Sequence, residues 1–114
     1  MKLDLFRKAL AVLFLFTLAT PALAKDIPHI HKFDLKVGQT RVFYGYIGKK
    51  CGVLPSRVSL PKVRIGTLST GKAGIRGSRR CNGRVPAVEI KFTATKKGRA
   101  TFRINEDRFT VQVR

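Results

Sequence analysis

The sequence predicts an all-β fold, a small antiparallel β-sandwich held by one disulfide. Three observations lead there. Beyond residue 24 the apolar residues recur at every second position, the spacing of a half-buried strand. Clusters of Gly, Asn, Asp and Pro interrupt these runs at short intervals, as turns do between short strands. No segment past residue 24 carries the apolar stripe of an amphipathic helix.

The first 24 residues read as a helical secretory leader. Lys2, Arg7 and Lys8 supply its positive end, residues 9–20 its apolar run, and Pro21 ends that run. Ala22-Leu23-Ala24 then forms a small-x-small cleavage site before Lys25. A membrane span needs about 20 apolar residues, more than this run offers. The expected mature chain, residues 25–114, is one domain. The protein is therefore expected to be exported, to the periplasm or the medium, with no transmembrane span after cleavage.

Within the mature part, residues 31–37 alternate, with Phe33, Leu35 and Val37 on one face. Gly38-Gln39 reads as a turn. In residues 40–47, Val42, Tyr44 and Tyr46 share one face and Arg41, Phe43 and Ile47 the other, which makes Phe43 a candidate for exposure. Residues 57–60 and 62–68 are short strand candidates separated by Pro61, which cannot donate to a ladder. Residues 69–84 hold four glycines and almost no large apolar side chain, so they read as a loop, with at most a short strand near Ala73–Arg76. The last third alternates most clearly. Val88, Ile90, Phe92 and Ala94 are expected inward, then Ala100, Phe102 and Ile104, then Phe109, Val111 and Val113. Lys96-Lys97-Gly98 and Asn105-Glu106-Asp107 read as the turns of a three-stranded meander.

Cys51 and Cys81 are the chain's two cysteines. In an oxidising compartment an even pair reads as a disulfide. The rival, a metal-binding or catalytic thiol, lacks the Cys-x-x-Cys spacing.

Two stretches resemble bacterial immunoglobulin-like domains. Lys97-Gly98-Arg99-Ala100-Thr101-Phe102-Arg103-Ile104 followed by Phe109-Thr110-Val111-Gln112-Val113 is similar to their last two strands. Phe33-Asp34-Leu35-Lys36-Val37-Gly38-Gln39-Thr40 resembles their opening. The placement of Cys51 and Cys81 around a basic Gly-rich stretch is also similar to that of small exported basic proteins of unassigned activity. The resemblance implies an immunoglobulin-like sandwich and no mechanism. It departs from that family in having no Trp and no Cys…Trp…Cys spacing.

Charge is the most informative feature for function. The 114 residues carry 24 Lys and Arg against 6 Asp and Glu, a formal +18. With 44% hydrophobic residues the chain is too apolar for a disordered basic tail. Without the leader the charge is +16 over 90 residues. From Leu35 to Val88 there is no acid, and 12 cations stand in those 54 residues. Lys72, Arg76, Arg79, Arg80 and Arg84 crowd the Gly-rich stretch, and a Cys51–Cys81 bridge would set Lys49 and Lys50 beside them. Glycine lets backbone amides approach an anion, and Arg offers a planar fork to phosphate or carboxylate. These seven residues are the expected anion-binding site, and the bland reading is a merely solvated basic face. Anionic lipid, lipopolysaccharide or acidic polysaccharide is the expected partner. Nucleic acid ranks lower, because few aromatics are free to stack bases.

The chain is not expected to be an enzyme or to need a cofactor. Its mature carboxylates are Asp26, Asp34, Glu89, Glu106 and Asp107, and no catalytic motif joins them. His29 and His31, two apart on an extended segment, point the same way and are weak metal candidates. Two ligands do not make a site, and the segment reads as an exposed tail. The leading expectation is thus a non-catalytic exported protein that binds an anionic envelope or extracellular component. A protein-interaction module (an inhibitor or accessory subunit) using a sheet edge near residues 57–68 is the alternative, and a cationic secreted toxin the third.

Overall fold

The computed structural model describes residues 25–114. The leader expected over residues 1–24 lies outside the described residues. Six strands form, and no helix occurs among the described residues. They are β1 (Lys32–Leu35), β2 (Thr40–Tyr46), β3 (Gly66–Ser78), β4 (Gly83–Ala94), β5 (Gly98–Ile104) and β6 (Asp107–Val113). One three-stranded sheet runs in the order β1-β6-β5 and the other β2-β4-β3. Every pairing is antiparallel except β1 with β6, which is parallel.

The sheets pack face to face through aromatic rings. Phe43 on β2 meets Phe102 and Phe109 of the other sheet at centroid distances of 5.9 and 4.9 Å. Phe92 on β4 stacks on Phe102 and meets Phe33 edge-on, both at 6.1 Å. Offset and edge-to-face contacts of this kind contribute beyond the area they bury. Phe43, Phe92, Phe109, Ile90 and Val111 are wholly buried, as the alternation on β4 and β6 requires.

Phe43 is the exception to the simple alternation. The β2–β4 register shifts between Val42 and Tyr44, so Phe43 is an extra residue on its strand. Such a bulge lets two successive side chains point the same way. Phe43 and Tyr44 both enter the core, so Phe43 is not among the exposed aromatics.

The Gly38 turn forms as expected. Gln39 N–H donates to the Lys36 carbonyl at 3.0 Å, and Gly38 takes φ 92°, which glycine accepts without strain. The expected meander does not form. Ala94 and Gly98 are joined by Thr95–Lys97, but β4 and β5 belong to different sheets, so this connection crosses the sandwich. Of the three strands expected in it, only β5 and β6 form a hairpin, turning at Asn105 with φ 56°.

Two further segments differ from expectation. The Gly-rich stretch is not a loop. β3 runs through it to Ser78 and pairs with β4 from Gly66↔Ala94 to Ser78↔Gly83, with one bulge between Thr70 and Ala73. Backbone pairing holds it where side-chain packing is sparse. Pro86 lies on β4, the central strand, but past the last β2 pair at Val88, so it has a neighbour on one side only. Residues 57–65 are irregular, with one bridge between Val63 and Gly66. Val58, Leu60 and Val63 pack against the core from this irregular segment.

Candidate anion-binding cleft

The β3–β4 hairpin turns at residues 79–82. Asn82 N–H donates to the Arg79 carbonyl, and Cys81 N–H to Ser78 Oγ, both at 3.2 Å. Asn82 sits at φ 61°, a conformation Asn tolerates. Opposite lies the segment after β2, where Val53 N–H donates to the Lys50 carbonyl and Gly52 takes φ 84°. The Cys51–Cys81 disulfide joins the two turns, with Cα atoms 5.5 Å apart. Arg80 ties the same two segments a second time, donating from Nη2 to the Gly48 carbonyl at 2.7 Å and from Nη1 to the Lys49 carbonyl at 3.1 Å.

An open cleft of about 1650 Å³ lies here. Lys49, Lys50, Arg57, Arg76, Arg79, Arg80 and Arg84 line it, together with His31, Tyr44, Tyr46, Val53 and Leu54. Glu106 and Asp107, in the β5–β6 turn, are the acids on its lining.

The seven expected anion ligands divide into three groups. Lys49, Lys50 and Arg79 are exposed, and none takes part in an ion pair among the described residues. Arg76, Arg80 and Arg84 have internal work. Arg76 donates from Nη1 to the Gly45 carbonyl at 2.9 Å and from Nε to the Gly77 carbonyl at 3.1 Å, while its guanidinium sits 5.1 Å from the Tyr44 ring centre. Arg84 pairs with Asp26 on the surface, where such pairs contribute little. Lys72 is absent from the cleft. It lies at the β3 bulge, where its backbone N–H donates to Glu89 Oε1 at 2.9 Å.

Among the cleft residues outside the expected ligands, Arg57, Val53 and Leu54 bear on binding. Arg57 was legible as part of the acid-free run. Val53 and Leu54 are 56% and 45% exposed, two of the three large apolar side chains left open among the described residues. A Val-Leu pair beside a turn reads in sequence as ordinary core, so nothing there distinguishes it.

The segment with the two histidines is not a loose tail. Ile27 N–H and Ile75 N–H exchange bonds with Ile75 and Lys25 carbonyls, and Ile30 N–H donates to the Phe43 carbonyl, each at 2.9 Å. His29 and His31 meet with Nε2 atoms 3.0 Å apart. Burial holds the His29 pKa below its ordinary 6.5, with the Arg76 and His31 charges adding and Asp107 opposing. Burial likewise raises the Tyr44 phenol above 10.0. Asp34 pairs with Arg114 at 3.3 Å.

Compared with known protein families, curated proteins and solved structures, the chain matches none.

Proposed function

We propose that the protein is a non-catalytic binder of an anionic component of the cell envelope, a phosphate- or carboxylate-bearing lipid or polysaccharide, taken at the cleft between the two cross-linked turns. One observation carries this reading. A disulfide and the Arg80 bonds hold two basic segments together, and Lys49, Lys50, Arg57 and Arg79 remain exposed without an acidic partner among the described residues. Holding like charges together is unfavourable, and an anion relieves that repulsion. Exposed Val53 and Leu54 on the same lining suit the apolar part of an amphiphile. The leader pattern in residues 1–24 and the disulfide support export to an oxidising compartment. The two-sheet arrangement and the strand patterns support an immunoglobulin-like relation.

Vesicles containing anionic lipid and immobilised heparin test it at low and high salt. A basic side chain near an anionic lipid surface contributes about 1 kcal/mol. Replacing Lys49, Lys50, Arg57 and Arg79 by Gln is therefore expected to weaken vesicle binding by about a thousandfold, the equivalent of about 4 kcal/mol. Wild-type binding should fall steeply with salt on both supports. Binding by the fourfold variant equal to wild type would refute the cleft.

A further inference from the structure

His29 and His31 carry an inference independent of the anion reading. His31 Nδ1 lies 3.1 Å from the Arg108 carbonyl oxygen. A carbonyl only accepts, so Nδ1 holds the proton and Nε2 presents its lone pair. A histidine whose Nδ1–H is anchored on a backbone carbonyl is the arrangement that orients Nε2 toward a metal. The His31 ring stacks on Phe109 at 5.5 Å and 17°, and His29 stands edge-on to Tyr44 at 5.4 Å. Both rings are thus held by groups other than each other.

Two nitrogens 3.0 Å apart fit either a hydrogen bond or two ligands on one ion. A straight hydrogen bond and a two-ligand arrangement place the rings differently. A hydrogen bond aligned with both ring axes puts the centroids about 5.3 Å apart, with about 1.15 Å from each nitrogen to its ring centre. Around an ion with bonds of about 2.0–2.1 Å, the same nitrogens subtend about 91–97° and the centroids stand about 4.6–4.7 Å apart. The observed centroid distance is 4.5 Å.

We propose that His29 and His31 form a two-imidazole site for a divalent transition ion that prefers nitrogen ligands near 90°, Cu(II) foremost. An angle near 90° suits the tetragonal geometry of Cu(II) and Ni(II) better than the tetrahedral geometry of Zn(II), and Cu(II) heads the affinity order for nitrogen ligands. On binding, His29 carries its proton on Nδ1, which frees Nε2. Among the described residues no group of three or more His, Cys, Asp or Glu gathers, so the remaining positions belong to water or to an incoming ligand.

The test uses the full chain with its disulfide intact and Cu(II) or Zn(II) alone as probes. Electron paramagnetic resonance at one equivalent of Cu(II) should show coupling to two imidazole nitrogens. His29→Gln and His31→Gln should each weaken Cu(II) binding tenfold or more, and Zn(II) should compete poorly. Paramagnetic broadening in the unmutated protein should reach Tyr44 and Phe109 first, which decides the matter even if a variant misfolds. Unchanged affinity in the folded double variant, or broadening centred elsewhere, overturns the site. The K49Q/K50Q/R57Q/R79Q protein should retain Cu(II), so failure of the anion reading leaves this one standing.

Discussion

Breaking the Cys51–Cys81 bridge should destabilise the fold and, separately, loosen the cleft. The bridge closes a loop across a sequence separation of 30. Chain-entropy arithmetic for such a loop gives about 3.6 kcal/mol at 25 °C. Small domains hold roughly 5–15 kcal/mol in all, so the reduced protein keeps a thin margin. With a urea slope of about 1.5 kcal/mol per molar, the midpoint of Cys51→Ser/Cys81→Ser should fall by roughly 2 M. The local effect is read by trypsin, which cuts after Lys49, Lys50 and Arg57. In the reduced but folded protein, the two Arg80 bonds still link the turns. Adding Arg80→Ala to the serine pair should therefore open residues 49–57 to cleavage, whereas Arg80→Ala alone, with the disulfide present, should leave them protected. An unchanged urea midpoint would refute the loop-entropy argument. Equal cleavage with and without Arg80 in the reduced protein would refute the second tether.

Gly66→Ala should destabilise by about 1–3 kcal/mol in urea unfolding, the range for forcing extra volume into a packed core. A Cβ there would overlap Phe92 Cζ and stand 2.6 Å from the Thr93 carbonyl oxygen, and Phe92 is wholly buried. Gly77→Ala, whose Cβ meets nothing within 4 Å, should stay within about 0.5 kcal/mol of wild type. Equal effects at both positions would refute the packing argument. For Tyr44, the raised folded pKa means that its stability contribution is fully present below pH 10.0 and is lost as pH rises through the folded value. The Tyr46→Phe protein keeps Tyr44 as its one tyrosine, so its tyrosinate absorbance should titrate above 10.0. Titration at or below that value would refute burial as the cause.

Where alternation was strict, the strands were legible: β5, β6 and the outer half of β4 follow the sequence pattern directly. Phe43 was not legible, because a single inserted residue on β2 reverses the parity on which such reading depends. The arm of β3 from Ser69 to Ser78 was hidden by composition. Its ladder satisfies backbone groups, and a ladder needs no large side chains to form. Lys96-Lys97-Gly98 was read as a hairpin turn, yet a turn signal marks a change of direction and says nothing of which sheet receives the next strand. For the candidate site, the acid-free run contains most of the cations that line the cleft. It did not distinguish exposed Lys49 and Arg79 from Arg76 and Arg80, whose guanidinium groups are engaged by carbonyls more than 30 positions away in sequence.

The parallel pairing of β1 with β6 bears on when the protein can fold. The last strand in the chain is the middle strand of its sheet, and β1 and β5 touch it from either side without touching each other. Until Asp107–Val113 has been made, that sheet has no common partner for its two outer strands, and the aromatic face that β2 and β4 must cover is incomplete. The β1-β6-β5 sheet is therefore completed only by pairings far apart in sequence, so its closure is a late, non-local step of folding.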